Sequence, residues 1–191
     1  NADYLLLNKK ADEPEYEELK TIVDETTRIT KSLRGLLNFS RPLVVEKSKT
    51  DINKLVEVIA ESSKYSIGKK SVIIKRSLDK NLPHVKVDKA QIDEVITNLV
   101  INAIQALTGP GEVMISTKTN STSIYIEVSD NGPGIPKENL EKIFRPFFSS
   151  KGYGKGTGLG LSIVKRIVTE HGGSIKVLSQ VGKVTTFTIS L

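Results

Sequence analysis

Residues 130–161 read DNGPGIPKENLEKIFRPFFSSKGYGKGTGLGL, and they contain two glycine clusters separated by a segment with three phenylalanines and several lysines. The first cluster, residues 130–136, follows the alternating apolar run of residues 124–128, so it lies where a strand is predicted to end. The second cluster, residues 154–161, precedes residues 162–168, in which apolar positions repeat at helical spacing. The second cluster is therefore predicted to open a helix.

This helix entrance is suited to phosphate binding. Glycines let backbone N–H groups approach a ligand closely, and the helix dipole favours negative charge at that end. The spacing differs from the dinucleotide-binding G-x-G-x-x-G pattern, and no glycine–lysine pair precedes Ser or Thr as it does in a P-loop. Either cluster taken alone is equally typical of a pair of tight turns.

The composition limits the classes of function. A chain of 191 residues suffices for one ordinary domain plus an appendage. The net charge is +6, but the basic residues are scattered and there is no Trp, so we expect no nucleic-acid partner. Lysines beside the glycine clusters indicate a phosphorylated small ligand instead, or simply exposed loop lysines. The absence of cysteine excludes disulfides and thiolate chemistry.

The chain also lacks an obvious membrane or export signal. No apolar run approaches the roughly 20 residues needed to span a bilayer, and no signal peptide is recognisable. We therefore expect a soluble, cytoplasmic region, whose longer parent protein can carry a membrane anchor elsewhere.

Residues 1–42 predict part of a helical hairpin. Residues 1–7 would be the end of one arm, and from Tyr16 to Ser40 apolar and small residues recur every three or four positions, as in a bundle helix. So wide a stripe would be uncovered in a monomer, which predicts a homodimer formed through residues 16–40; packing against the following domain is the alternative. Proline at position 42 ends the helix, and residues 43–49 are interpreted as a linker.

Residues 50–191 alternate between helical and strand patterns. Asp51 and Asp88 are predicted helix caps. Strands are predicted near residues 71–78, 85–87, 113–119, 123–129, 174–177 and 184–191. This order, with several strands joined as hairpins, predicts an α+β domain in which a mixed sheet is covered on one face by helices.

Polar residues interrupt this apolar pattern at two places. Asn98 and Asn102 lie one turn apart on the helix that follows Asp88, and their amide oxygens could hold Mg²⁺ or simply face solvent. Asp130, at a strand end, is an acceptor that matches an amino group such as that of adenine, or it is an ordinary turn residue. Lys151 could supply charge for phosphates, as could other basic residues of the same segment.

Together these segments resemble the catalytic, ATP-binding domain of two-component sensor histidine kinases, whose superfamily also contains gyrase, Hsp90 and MutL. Residues 98–103 are similar to its N box, residues 130–135 to its first glycine box, residues 144–148 to its F box and residues 156–161 to its second glycine box. The resemblance covers residues 50–191. It implies a two-layer α/β sandwich, the Bergerat-type ATP-binding fold, preceded by a long helix of a helical hairpin.

The same resemblance implies roles for individual residues. Asn102 would hold Mg²⁺, Asn98 would lie beside the phosphates, and Asp130 would bind the adenine amino group. Residues 144–157 would form a mobile lid, with Lys151 and Asn98 as catalytic residues. The implied ATP-binding residues are Asn98, Asn102, Gln105, Ala106, Asp130, Gly132, Gly134, Ile135, Phe144, Lys151, Gly154, Gly156, Thr157, Gly158, Leu159, Gly160, Leu161 and Thr185.

By resemblance, the chain would transfer the γ-phosphoryl group of Mg-ATP to a histidine of a dimerisation hairpin and serve a response regulator. Residues 36–42 are similar to the end of the second hairpin helix, whereas the acceptor histidine lies on the first. Neither His84 nor His171 fits that position, so the acceptor is expected outside this chain, which would begin within the first helix. The alternatives are an ATP-hydrolysing clamp, which has glutamate where this chain has Asn98, and a nucleotide-binding regulatory module without transfer activity.

Overall fold

The computed structural model describes residues 2–7, 9, 13, 15–40, 45–64, 71–150 and 157–191. At the N-terminal end, helix α1 (Ala2–Leu7) packs against the long helix α2 (Tyr16–Ser40). Several apolar side chains of α2, including Ile22, Ile29 and Leu33, are more than half exposed. None of the described helices is both long and apolar enough to cross a membrane.

The rest of the described chain forms two layers, helices over a sheet. The elements in order are β1 (Ser48–Thr50), α3 (Ile52–Ser63), β2 (Val72–Ser77), β3 (Val85–Val87), α4 (Lys89–Ala106), β4 (Gly111–Thr119), β5 (Ile124–Asp130), α5 (Lys137–Leu140), α6 (Gly160–Glu170), β6 (Ser174–Gln180) and β7 (Val184–Ser190). The main sheet has the order β2-β4-β5-β7-β6, in which only β2 and β4 pair in parallel. The predicted mixed sheet and α+β class are confirmed.

One hydrophobic core lies between the sheet and the helices α3, α4 and α6. Strands β4 and β5 alternate between buried and partly exposed residues, because successive side chains of a strand point to opposite faces. Inward-facing Ile115 and Ile126 are fully buried, as are Leu99 of α4 and Val164 of α6. The sheet thereby presents α4 and α6 side by side on one face, and these two helices carry most of the candidate site.

The caps of the helices agree with the sequence. The Asp51 carboxylate accepts the Lys54 N–H at 3.0 Å at the start of α3. Asp88 accepts the N–H groups of Ala90 and Gln91, at 3.0 and 3.1 Å, at the start of α4. Each cap satisfies N–H groups that have no partner within the helix, and so fixes where the helix begins.

Of the predicted linker, residues 43–49, the structure describes residues 45–49, whereas residues 41–44 lie outside the described residues. Ser48–Thr50 form strand β1, which pairs antiparallel with β3. The Glu46 N–H is also donated to Asp88 Oδ2 at 3.1 Å. The three residues of β1 are Ser, Lys and Thr, without the apolar alternation of Val85 and Val87 in β3, so this attachment of the segment to the second domain was not predicted.

Candidate nucleotide-binding site

Asp130 is the last residue of β5 and is only 5% exposed. Its Oδ1 accepts the N–H of Gly132 at 2.9 Å. Burial raises the pKa of the Asp130 carboxyl, and the hydrogen bond from Gly132 offsets only part of that rise. A Cβ on Gly132 would lie 2.7 Å from Asp130 Oδ1, so the turn closes around the carboxylate only because residue 132 is glycine.

Thr185 of β7 lies directly opposite Asp130 in the sheet register and is 4% exposed. Its hydroxyl is 3.0 Å from the hydroxyl of Ser179 on β6, and Ser179 Oγ accepts the Ile135 N–H at 2.8 Å. Ser179 therefore links the loop after β5 to the threonine beside Asp130. It belongs to none of the sequence motifs, and it lies in the part of β6 beyond residue 177, where the predicted strand of this hairpin ends.

The loop after β5 is also held by the turn between β6 and β7. Gly134 has φ +75°, and a Cβ there would lie 2.6 Å from the backbone oxygen of Gln180. The Gly182 N–H donates to Pro133 O at 2.8 Å. The first glycine cluster is thus a fixed wall of the site, where glycine permits a left-handed backbone and a close approach of two chain segments.

The two asparagines of α4 face the entrance of α6. Asn98 Nδ2 donates to Glu94 O at 2.9 Å, which leaves Oδ1 directed elsewhere. A Cβ on Gly160 would lie 3.1 Å from Asn98 Oδ1 and 3.8 Å from Asn102 Nδ2. Gly160 is the first residue of α6, so the predicted metal and phosphate residues of α4 are next to the predicted phosphate-binding helix end.

The start of α6 carries no side-chain cap, at least from any residue that the structure describes. The first N–H groups of a helix have no intrahelical partner, and together with the helix dipole they favour an anion. The Thr157 hydroxyl accepts the Leu159 N–H at a long 3.4 Å, but no described side chain caps the first N–H groups of the helix itself, which suits this helix end to a phosphate group.

The same corner fits Mg²⁺ by its chemistry. Over the described part of the chain, no three His, Cys, Asp or Glu residues are grouped so that they could hold a metal. Mg²⁺ bound to a nucleotide needs few protein ligands, because phosphate oxygens and water complete its octahedron. Amide groups from Asn98 and Asn102, next to a bare helix N-terminus, are compatible with such a shared site.

The F box is anchored to the second glycine cluster through the backbone. Phe147 has φ +65° and Gly158 has φ +67°, and a Cβ on Gly158 would lie 2.4 Å from the carbonyl carbon of Phe147. Phe144 makes an edge-on contact with Phe187, with ring centroids 6.4 Å apart, and Lys165 Nζ lies 5.7 Å from its centroid. Phe144 therefore fixes the start of the predicted lid against β7 and α6.

The remaining predicted residues occupy different surroundings. Leu159 is 1% exposed within the core, so only its backbone can face a ligand, while Leu161 is partly buried against the same core. Ala106 Cβ is 3.6 Å from the Cβ position of Gly132, whereas Gln105 is exposed. Lys151, Gly154 and Gly156 lie outside the described residues.

Both histidines are used elsewhere in the domain. His171 Nε2 accepts the Asp88 N–H at 3.0 Å, and Nδ1 donates to Ile167 O at 2.8 Å. His84 Nε2 is 3.7 Å from Asp51 Oδ2. Both ring nitrogens of His171 are thus engaged in hydrogen bonds within the domain.

Comparisons with known proteins match these features. The family described as "Histidine kinase-, DNA gyrase B-, and HSP90-like ATPase" matches residues 87–191. The sensor kinase CckA of Brucella abortus is 34% identical across the whole chain, and the signal transduction histidine-protein kinase AtoS of Escherichia coli is 35% identical over 97% of it. The chain spans only 22% and 31% of the lengths of these two relatives.

Solved structures agree with the sequence relatives. The catalytic domain of the histidine kinase ThkA is 32% identical with a TM-score of 0.69, and the match covers 76% of this chain and 95% of that domain. ThkA in complex with the response regulator protein TrrA is 26% identical with a TM-score of 0.79, and the match covers all of this chain and 57% of ThkA.

Proposed function

The chain belongs to the family of histidine kinase-, DNA gyrase B- and HSP90-like ATPases, and we propose that it contains the Mg-ATP-binding catalytic region of a two-component sensor histidine kinase. In this proposal the γ-phosphoryl group passes to a histidine on a dimerisation hairpin. The observation that carries it is the meeting of Asn98 and Asn102 with Gly160, because it joins a Mg²⁺ ligand set to a phosphate-binding helix end.

The nucleotide would lie across α4. Its adenine would contact Asp130, and its phosphates would contact the start of α6. The ionised carboxylate of Asp130 would accept a hydrogen bond from the adenine amino group, with Thr185 beside it. The phosphates would lie at the N–H groups of residues 158–161, and Asn102 would hold the metal. Thus three separate elements would fix base, phosphates and metal.

Catalysis in this site would be positioning and charge neutralisation. Bound Mg²⁺ would withdraw charge from the phosphate oxygens as the transfer proceeds. A nitrogen of the acceptor imidazole would form the new bond to the γ-phosphorus, while the bond to the β–γ bridging oxygen breaks and ADP leaves. We propose that Asn98 orients the phosphates and that Lys151 of the lid neutralises charge on the γ-phosphate.

The residue at position 98 favours transfer over hydrolysis. In the clamp ATPases that this domain resembles, a glutamate at that position activates water, whereas an amide is a poor base. The Asn98 side chain donates an N–H to Glu94 O, and its remaining oxygen is too weak a base to take a proton from water. Water bound near the γ-phosphate would therefore gain no proton acceptor from Asn98.

The proposed partners follow from the same assignment. More than half of the Ile22, Ile29 and Leu33 surfaces is exposed on α2, which supports pairing of two copies through residues 16–40. ThkA has been crystallised with a response regulator, which supports a response regulator as the next partner of this chain. A cytoplasmic location is proposed because ATP and such a regulator are both available there.

One experiment separates the candidate functions. The chain is incubated with γ-labelled ATP and Mg²⁺, with and without a separate protein that carries a complete histidine-bearing dimerisation hairpin, and bound nucleotide is measured in parallel. Label on the hairpin protein supports the kinase; free phosphate with no label supports the clamp; bound nucleotide with neither supports a regulatory module. Asp130→Asn is the matched control, and a parent chain that binds no nucleotide would overturn the proposal.

A further inference from the structure

His171 connects the far ends of the two helices that form the site. It follows the last residue of α6, and its Nε2 accepts the N–H of Asp88, the cap of α4, across 83 positions of sequence. Its Nδ1 donates to Ile167 O at 2.8 Å, which fixes the neutral tautomer with Nε2 as acceptor. The contact is therefore a directed hydrogen bond between two helix ends.

Helix α6 holds this histidine in one orientation. The Gly173 N–H donates to Val168 O at 2.9 Å, and Gly172 has φ +81°, the pattern of a glycine-terminated helix. Asp88 is equally constrained, because its carboxylate accepts backbone N–H groups from Ala90, Gln91 and Glu46. Burial opposes charge on Asp88, but these backbone donors outweigh it and lower the pKa of the carboxyl.

The two helices run antiparallel, and α6 touches α4 or its cap at both of its ends. At one end His171 meets Asp88; at the other Gly160 meets Asn98. Between them, burial raises the pKa of Glu94 on α4, and the charge of Arg166 on α6 offsets part of that rise, so these two side chains lie within electrostatic reach. A rotation or tilt of α6 relative to α4 would therefore change the distance of Gly160 from Asn98 and Asn102.

We propose that His171 is a positioning residue of the nucleotide site: by holding the Asp88 N–H it sets the distance between α4 and α6, and thereby between the asparagines and the phosphate-binding helix end. Helices are stiff, so a change at one end of a packed pair is carried to the other. The inference rests on the proposed function, since it concerns the geometry of the same site. It gives His171 a role in binding without any contact with the ligand.

Two substitutions separate the hydrogen bonds of His171. In Asn the amide nitrogen stands where Nδ1 stands, so His171→Asn keeps the donor to Ile167 O and loses the acceptor for Asp88. In Gln the amide oxygen stands where Nε2 stands, so His171→Gln keeps the acceptor for Asp88 and loses the donor to Ile167. Both variants lose one hydrogen bond of residue 171, but only His171→Asn loses the bond that joins α6 to α4.

The affinity for AMPPNP is measured by calorimetry with and without Mg²⁺, at a temperature where circular dichroism shows all proteins folded. We expect His171→Asn to weaken Mg-AMPPNP binding about three- to tenfold, the range of one lost hydrogen bond. His171→Gln should stay within about twofold of the parent by the same reasoning. Thermal midpoints should fall in both variants.

Each result has a distinct meaning. Equal affinities in parent and Asn variant, with only the midpoint lowered, would show a purely structural role and overturn the inference. Weaker binding by the folded Gln variant would overturn it as well, and this comparison decides the matter even if the Asn variant does not fold. A parent chain that binds no nucleotide would instead refute the proposed function.

Discussion

Replacing Asp130 with asparagine should make the protein more stable and weaken its binding of ATP about 10- to 100-fold or more. The amide oxygen of the new side chain can still accept the Gly132 N–H, so the turn is expected to survive. Burial raises the pKa of the Asp130 carboxyl, which means that the ionised form is less favourable in the folded chain than in the unfolded chain. At neutral pH the carboxylate therefore costs stability, and the neutral amide removes that cost.

The substitution should change stability and ATP affinity in opposite directions and by different amounts. Relieving one unfavourable buried interaction commonly stabilises a protein by about 0.5–2 kcal/mol. In a chain of this size each kcal/mol raises the unfolding midpoint by about 2–4 °C. In the site, a hydrogen bond to a charged group contributes about 1.5–3 kcal/mol, so its loss weakens ATP binding about 10- to 100-fold or more. The substitution also turns a donor towards the adenine amino group.

Calorimetric binding of Mg-AMPPNP and thermal unfolding at several pH values test both effects. A group with a raised folded pKa contributes stability below its unfolded pKa and loses that contribution as the pH rises through the folded pKa. The gain in midpoint should therefore be present at pH 7 and vanish at pH values below about 3.9, the ordinary pKa of aspartate. Undiminished nucleotide affinity would refute the role of Asp130, and a lower midpoint at pH 7 would refute the account of its burial.

Other substitutions test the rest of the site. Asn102→Ala should reduce the gain in nucleotide affinity on adding Mg²⁺ by about 10- to 100-fold; calorimetry with and without Mg²⁺ checks this, and unchanged metal dependence would exclude Asn102 as a ligand. Gly158→Ala should lower the free energy of unfolding in urea by about 1–3 kcal/mol. Gly172→Ala should lower it less, because Gly172 has a similar φ but no atom within 4 Å of the new Cβ; equal losses would contradict the close contact at Gly158. Ser179→Ala should cost about 1–2 kcal/mol and weaken nucleotide binding, whereas Ser174→Ala, on the same strand but exposed, should do neither; indistinguishable variants would count against the link to Thr185.

The sequence predicted the elements that carry strong periodic patterns and recognisable caps. Helix α4 is the clearest case, because Asp88 caps it and its apolar positions repeat along its whole length. Two short elements were missed: β1, whose residues Ser, Lys and Thr show no apolar alternation, and α5, whose four residues are too few for a helical period. The equally short β3 was predicted because Val85 and Val87 alternate with a lysine. Strand β6 extends to Gln180, beyond the predicted Val177, because pairing with β7 continues through partly polar residues.

Within the site, the residues found by sequence were those inside motifs. A carboxylate at the end of an apolar strand, Asp130, and two asparagines in an apolar helix, Asn98 and Asn102, depart from the pattern around them. Such departures can be recognised from the sequence alone. Ser179 and His171 break no rule. Their roles arise from partners 44 and 83 positions away, so only the folded chain reveals them.

The backbone contact between Phe147 and Gly158 has a consequence for engineering. Because the backbones of residues 147 and 158 lie next to each other, the two ends of the stretch between them are held together by described residues. Lengthening a stretch whose ends are already held together costs little, about 0.6 kcal/mol for each doubling of its length. Short insertions between Ser149 and Thr157 should thus cost the fold little, and if this stretch is the proposed lid they should change the dissociation rate of the nucleotide while leaving the unfolding midpoint nearly unchanged.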